Sequence, residues 1–143
     1  MEKRFQDKVV VITGGSRGIG KAVAKRFLDE GAKVCLAANE ELVHTAAEEL
    51  SALGKTASYV ADVTNAGEVK ALYDFAEKEC GIVDISLQNA GVITIAKLEN
   101  FTEAEWDKVM AVNTKGVFLC CREAALRMRA AGKAGRLINT ASG

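Results

Sequence analysis

The sequence predicts an α/β protein in which helices cover both faces of one parallel β-sheet. Short β-branched runs alternate along the chain with longer stretches whose apolar residues have helical spacing, which is typical of this class. The first run, residues 9–12, is followed by a glycine-rich turn and then by a helical pattern. Hydrophobic residues make up 49% of the 143 residues, so we predict one packed domain over residues 1–143.

The first strand and the first helix are predicted at about residues 8–13 and 18–30. The strand is apolar almost throughout, as expected for a strand that is buried on both faces. Gly31 follows the helix directly. It is a candidate C-cap, because glycine readily adopts the left-handed conformation that ends many helices.

The second strand, second helix and third strand are predicted at about residues 33–37, 40–53 and 56–61. Acidic residues at the start of this helix suit the positive end of its dipole. Gly54 then ends the helical pattern.

The third helix and fourth strand are predicted at about residues 66–80 and 83–88. Thr102 and Glu105 have the spacing of a capping box. This spacing predicts a helix that starts at residue 102 and continues to about residue 130, with an interruption in composition at residues 113–116.

A fifth strand is predicted at about residues 136–140. Five strands joined by helical crossovers, with a glycine turn after the first, specify a Rossmann-type doubly wound parallel sheet. We expect this sheet to be incomplete on its C-terminal side, with strands one to five only. The fifth strand should then be an exposed apolar edge.

Polar motifs follow these strands at their carboxyl ends, where doubly wound sheets bind ligands. Glycines in the first turn let the backbone approach an anion closely, and the N-terminus of the next helix favours a phosphate group. We therefore predict one nucleotide site. Its residues are contributed by segment 14–20, Asn39, Asp62, segment 89–91 and Ser142.

The glycine turn has two alternative interpretations. Residues 15–21 match G-x-x-x-x-G-K, the beginning of the phosphate-binding loop of nucleoside triphosphatases. The next residue should carry the hydroxyl that holds magnesium, but it is Ala22, which has no side-chain oxygen. The other alternative is a purely structural turn without a ligand.

Charge and composition argue against several classes of function. Lys and Arg together number 19, as do Asp and Glu, so nothing predicts a nucleic acid or a membrane as partner. No apolar run is long enough to span a bilayer, and residues 1–8 lack the apolar stretch of a secretion signal. We therefore expect a cytoplasmic protein. The four cysteines form no C-x-x-C pair, so we expect neither a metal site nor a disulfide.

These motifs resemble those of the short-chain dehydrogenase/reductase family over essentially the whole chain. Thr13-Gly14-x-x-x-Gly18-x-Gly20 is similar to the cofactor turn of that family, and Asp62-Val63 to its adenine contact. Gln88-Asn89-Ala90-Gly91 resembles its N-N-A-G motif, with a glutamine first, where we expect a shifted sheet hydrogen bond. Asn113 and Ser142 fall at the positions of its catalytic asparagine and serine.

The resemblance implies hydride transfer between a nicotinamide cofactor and a carbonyl or secondary alcohol, with a sugar, polyol or keto compound as substrate. Ser142 would hydrogen-bond the substrate oxygen, and Asn113 would hold a water of the proton relay. A homo-oligomer, a tetramer at full length, is also implied. The implied cofactor-binding residues are Gly14, Ser16, Arg17, Gly18, Ile19, Gly20, Asn39, Asp62, Val63, Asn89, Ala90 and Gly91.

Each role has a plainer alternative. Asn113 could be an ordinary polar residue on a helix, Ser142 a turn residue, and Asp62 a cap of the third helix. The Tyr-x-x-x-Lys pair of the family is absent, since the sequence ends one residue after Ser142. We therefore expect the 143-residue chain to be inactive on its own. A non-catalytic dinucleotide-binding module is the alternative function.

The choice of cofactor depends on two positions. Enzymes that prefer NAD usually carry an acidic residue at the end of the second strand, whereas the aligned residue here is Ala38. Arg17, in the glycine turn, is placed to meet the additional phosphate of NADP, although it could also be a solvated surface residue. The sequence therefore predicts that NADP(H) is preferred over NAD(H).

Overall fold

The computed structural model describes residues 2–142, which contain five strands. The strands are Val9–Thr13 (β1), Lys33–Ala38 (β2), Thr56–Val60 (β3), Ile85–Gln88 (β4) and Arg136–Asn139 (β5). The α-helices are Gly18–Asp29 (α1), Leu42–Leu50 (α2), Ala66–Glu79 (α3), Glu103–Met110 (α4) and Gly116–Ala130 (α5). Within the described part of the chain, no helix has both the length and the apolar character needed to cross a membrane.

The helix predicted over residues 102–130 is divided in two. Its capping box is present as predicted, with Thr102 Oγ1 accepting from the backbone of Glu105 at 3.1 Å. A π-helical turn, Ala111–Lys115, then separates α4 from α5. This turn coincides with the interruption in composition and places Gly116 against Val63, where a Cβ atom would come within 2.7 Å of a side-chain methyl.

The sheet has the order β3-β2-β1-β4-β5, and every pair of neighbouring strands is parallel. From β1 the chain first moves outward through β2 to β3, and then returns to the other side of β1 to form β4 and β5. The strand order therefore reverses between β1 and β4. This is the predicted Rossmann-type arrangement, and the reversal opens a crevice at the carboxyl ends of the two strands.

The helices form one layer on each face of the sheet. Alternate residues of β1 enter two separate apolar clusters, because successive strand residues point to opposite faces. Val10 and Ile12 pack with α1 and α2, whereas Val9 and Val11 pack with α3 and α5. Burial of β1 on both faces confirms the double-sided core that its apolar sequence predicts.

A chain of hydrogen bonds between side chains runs through the second of these layers to β5. The Tyr73 hydroxyl lies 2.5 Å from Ser86 Oγ, which donates to Gln88 Oε1, also at 2.5 Å. Gln88 Nε2 then donates to Asn139 Oδ1 on β5 at 3.0 Å. Burial raises the pKa of Tyr73, so its phenol remains neutral. The chain thus connects the core beneath α3 with the last described strand.

β5 lies at one edge of the sheet, as predicted. All four of its residues are exposed, including the apolar Leu137 and Ile138. Its backbone pairs with β4 on one side only within residues 2–142. This strand is therefore held mainly by its ladder with β4 and by the Gln88 amide.

The end of α1 is joined to the N-terminal segment by a cluster of charges. The Glu30 carboxylate accepts hydrogen bonds from both Arg4 and Arg26, and its side chain is 1% exposed. Gly31 follows with a φ of 92°, which confirms the predicted C-cap. The hydrogen bonds from Arg4 are the main reason that the pKa of Glu30 falls to about 2.

This lowered pKa predicts an acid-dependent loss of stability. Because the folded state holds the Glu30 carboxylate charged, the stabilisation is complete above the ordinary pKa of 4.5 and is lost as the pH falls toward about 2. We expect Glu30→Gln to lower the melting temperature at pH 7 and to flatten its dependence on pH between 4.5 and 2. Thermal unfolding followed by circular dichroism measures both effects. Glu99→Gln, at an exposed glutamate, is the control, and equal pH profiles for the two variants would contradict the assignment.

Candidate functional site

A cavity of about 310 Å³ lies at the carboxyl ends of the central strands. It occupies the crevice where the strand order reverses, which is the usual ligand position in doubly wound sheets. The structure brings nine of the predicted cofactor-binding residues together in its wall. These are Gly14, Ser16, Arg17, Asn39, Asp62, Val63, Asn89, Ala90 and Gly91.

The glycine turn is packed directly against the loop that follows β4. Thr13 Oγ1 accepts hydrogen bonds from the backbone N–H groups of Asn89 and Ala90, both at 3.1 Å. Gly14 has a φ of 66°, and a Cβ atom there would lie 3.0 Å from the Ala90 backbone. Asn89 Nδ2 donates to Gly14 O at 3.3 Å. The two loops therefore form a single wall of the cavity.

The remaining predicted residues of the turn, Gly18, Ile19 and Gly20, form the first residues of α1. Ile19 is exposed, whereas Gly20 is buried beneath the turn. The first N–H groups of a helix have no carbonyl partner within the helix, and within residues 2–142 the N-cap residue Arg17 makes no side-chain capping hydrogen bond to α1. In contrast, Asn65 caps α3. Among the described residues, the start of α1 is thus a positive helix end without a side-chain cap from Arg17, which lines the cavity.

Asp62 does not cap α3, which corrects one of its two sequence interpretations. Asn65 takes that position, and its Oδ1 accepts from Glu68 N at 3.0 Å. Asp62 Oδ1 instead accepts from the backbone N–H and the hydroxyl of Thr64, at 2.9 and 2.7 Å. This short turn holds the Asp62 carboxylate at the cavity wall beside Val63.

Asn113 lies in the π-helical turn and joins it to the loop after β4. Its Oδ1 accepts from Val92 N and its Nδ2 donates to Val92 O, both at 2.8 Å. Both ends of the amide are therefore used to hold the backbone of Val92, which lines the cavity. Such π-helical turns are frequent at functional sites.

Ser142 is exposed and follows the end of β5 by three residues. It is not among the residues that line the cavity. The hydroxyl of Thr140, two residues earlier, donates a hydrogen bond to Asn89 Oδ1 at 3.1 Å. The segment leading to Ser142 is therefore tied to the loop after β4.

Sequence reasoning missed two charged residues of the cavity wall, Glu40 and Lys108. Ser16 Oγ donates to Glu40 Oε1 at 2.6 Å, and Arg17 Nη2 lies 3.6 Å from the same oxygen. A signal for Glu40 was present, since it follows the carboxyl end of β2 by two residues. Lys108 lies on α4, and no signal in the sequence marked it as a cavity residue.

The close contact at Gly20 predicts a large cost for any side chain. A Cβ atom at this position would lie 2.1 Å from Gly14 O and 2.8 Å from Asn89 Nδ2. We expect Gly20→Ala to destabilise the fold by about 1–3 kcal/mol or more, because backbone atoms have to move. Gly18→Ala is the matched control. It meets nothing within 4 Å at a φ of 57°, so only a left-handed strain of about 1 kcal/mol applies. Urea unfolding measures the free energy of unfolding of both variants. If Gly20→Ala were no less stable than Gly18→Ala, the backbones would not be in contact at Gly20.

Residues 8–143 match the family described as short chain dehydrogenase. A 3beta-hydroxysteroid dehydrogenase of Mediterraneibacter gnavus is 37% identical over 144 residues, which cover 97% of this chain and 51% of the relative. A D-threitol dehydrogenase of Mycolicibacterium smegmatis is 35% identical over 144 residues, which cover 97% of this chain and 54% of the relative. The chain spans about half the length of the curated relatives it matches.

The fold leads to the same family. A crystal structure of a short-chain type dehydrogenase/reductase from Mycobacterium marinum matches with a TM-score of 0.94 at 33% identity, and the match covers 98% of this chain and 57% of that one. The resemblance inferred from the motifs is therefore confirmed by sequence and by fold. This chain belongs to the short-chain dehydrogenase family.

Proposed function

We propose that this chain, residues 1–143, is the dinucleotide-binding domain of an enzyme that transfers hydride between NAD(P) and a carbonyl compound or secondary alcohol. The observation that carries the proposal is the cavity at the reversal of strand order, where a glycine turn and an uncapped helix N-terminus meet. Relatives named as dehydrogenases favour an enzyme over a non-catalytic binding module.

The residues of the cavity fit a dinucleotide. The pyrophosphate would be held by the N–H groups at the start of α1, with Gly14, Gly18 and Gly20 allowing the backbone to come close. A Cβ atom at Gly14 or Gly20 would meet other backbone atoms at 3.0 Å or less, so protein atoms fill the space on these sides of the turn. A ligand would therefore approach the turn only from the cavity. Ser16 and Ile19 would flank the same phosphates.

The two ends of the dinucleotide would contact different strands. Asp62 and Val63, after β3, would contact the adenine, and Asn39, after β2, its ribose. At the other end, the loop Asn89-Ala90-Gly91 would border the nicotinamide half. All of these residues line the one cavity.

Asn113 and Ser142 are our candidates for the catalytic steps on the protein side. Ser142 would donate a hydrogen bond to the substrate oxygen, and Asn113 would hold a water of the proton relay. The side-chain amide of Asn113 already holds Val92 at 2.8 Å, which supports a role in positioning the loop as well.

We infer that the acid–base group is supplied by a part of the protein beyond these 143 residues. Tyr73 is buried in the core, where desolvation raises its pKa. Tyr59 lies on β3 and packs against Phe75, with their ring centroids 5.1 Å apart. Because neither tyrosine lines the cavity, the 143-residue chain alone should have little or no turnover.

We also propose a substrate class, an oligomeric state and a cellular location. A sugar, polyol or keto compound is our candidate substrate, and a relative named D-threitol dehydrogenase supports the polyol class. We propose a homo-oligomer, a tetramer at full length, in the cytoplasm. Exposed aromatic side chains on α4 and α5, Trp106 and Phe118, support association with other subunits.

Cofactor binding tests the proposal directly. We expect saturable binding when the purified protein is titrated with NADPH or NADH and the nicotinamide fluorescence is followed. Gly20→Ala should weaken binding of both cofactors, because it disturbs the glycine turn that would hold the pyrophosphate, and both cofactors contain that group. The absence of binding by either cofactor to a folded wild-type protein would refute the proposed function.

We propose that NADP(H) is preferred, because Arg17 of the glycine turn lines the cavity and the residue at the end of β2 is Ala38 rather than an acidic residue. Arg17→Ala should weaken NADPH binding about ten- to a hundredfold, the equivalent of about 1.5–3 kcal/mol for a hydrogen bond to a charged group. NADH binding should change little. Arg122→Ala, on α5 and against Phe118, is the matched control. An unchanged ratio of NADPH to NADH affinity in Arg17→Ala would refute the assignment.

A further inference from the structure

Four charged residues line the cavity, and three of them already have partners within the protein. Arg17 Nη2 lies 3.6 Å from Glu40 Oε1, and Asp62 Oδ1 accepts two hydrogen bonds from Thr64. Lys108 is the fourth. It is exposed, and its ammonium forms no ion pair with any residue that the structure describes. Lys108 is therefore a cation of the cavity wall that is available to a ligand.

The position of Lys108 beside the cavity is fixed by the two ends of α4. The helix begins at a capping box. In the π-helical turn that follows it, Asn113 holds the backbone of Val92 through two hydrogen bonds of 2.8 Å. Val92 and Val112 line the cavity together with Lys108. The backbone of Lys108 is thus held at this wall, while its flexible four-carbon stem lets the ammonium move toward a ligand.

The diphosphate of a dinucleotide brings negative charge into a cavity whose other charges are already paired. The N–H groups at the start of α1 offer hydrogen bonds and a partial positive charge. Arg17 would have to give up its pair with Glu40 to bind the diphosphate. An ammonium binds phosphate as a compact point charge. Among the described cavity residues, Lys108 alone can supply a full positive charge without the loss of an ion pair.

We propose that Lys108 is a binding residue for the diphosphate and that its ammonium pairs with the phosphate oxygens when the dinucleotide enters the cavity. This inference rests on the proposed function. Because NAD(H) and NADP(H) share the diphosphate, Lys108 raises the affinity of both cofactors by the same factor. Lys108 thus determines how strongly the cofactor is bound and takes no part in the choice between the two.

Lys108 also has a structural role, which a control variant has to match. It lies in the last turn of α4, where a cation stabilises the negative end of the helix dipole. Lys78 has the same place in the last turn of α3, is also exposed, and does not line the cavity. Lys78→Gln therefore removes the same charge from an equivalent helix position away from the proposed site.

The test compares the affinities of NADPH and NADH for Lys108→Gln and Lys78→Gln by fluorescence titration. We expect Lys108→Gln to weaken the binding of both cofactors by about three- to tenfold, on the scale of an ion pair that water still reaches. The ratio of the two affinities should stay the same within about twofold, because the lost contact is common to both cofactors. Lys78→Gln should leave both affinities within about twofold of the wild type, because a distant exposed charge is screened. Lys108→Arg should retain most of the affinity, since a guanidinium also binds phosphate.

Ionic strength separates an ion pair from packing of the lysine stem. The difference in affinity between the wild type and Lys108→Gln should be largest at about 0.05 M salt and should shrink at about 0.5 M, because salt screens charges. Circular dichroism verifies the fold of each variant, and Lys108→Ala replaces Lys108→Gln if the latter does not fold.

Four results would overturn this inference while the proposed function stands. They are an unchanged affinity in the Lys108 variant, an equal loss in Lys78→Gln, a loss confined to one cofactor, and a loss that does not depend on salt. Failure of the folded wild type to bind either cofactor would instead overturn the proposed function.

Discussion

The contact between the glycine turn and the start of α1 is the constraint on which the site depends. Gly14 O comes so close to Gly20 that a Cβ atom there would lie only 2.1 Å away. Thr13 Oγ1 fastens the loop after β4 to the same turn through two backbone N–H groups. Because Gly14 O meets the start of α1 and the Thr13 hydroxyl holds the loop after β4, strand β1, helix α1 and this loop cannot shift independently.

Most of the fold was predictable, because hydrophobic periodicity reports directly on burial. The continuous apolar run of β1 requires cover on both faces, and the structure provides it with α1 and α2 on one side and α3 and α5 on the other. The position of the site was predictable for a related reason. Parallel strands end at the same edge of the sheet, so residues such as Asp62 and Asn89, far apart in sequence, were expected near one another.

The side-chain contacts within the site were less predictable, because they depend on the path of the loops. Glu40 follows β2 at an ordinary loop position, and nothing in its local sequence shows that it turns back to Ser16. The double hydrogen bond between Asn113 and Val92 depends on a π-helical turn, for which periodicity gives no signal. Asn65 rather than Asp62 caps α3. The sequence did not predict this, because Asn and Asp are both good N-cap residues and here lie only three positions apart.

The hydrogen bond between Gln88 and Asn139 has a consequence for the register of β5. Side chains alternate between the two faces of a sheet, so a slip by one residue would normally be resisted by apolar burial. β5 is only four residues long and exposed throughout, so this resistance is weak. The hydrogen bond from the Gln88 amide favours the observed register instead. A strand that slipped by one residue would place Ile138 or Thr140 at this amide in place of the Asn139 carboxamide. The Gln88 amide and the contact of Thr140 with Asn89 thus together fix the segment that leads to Ser142.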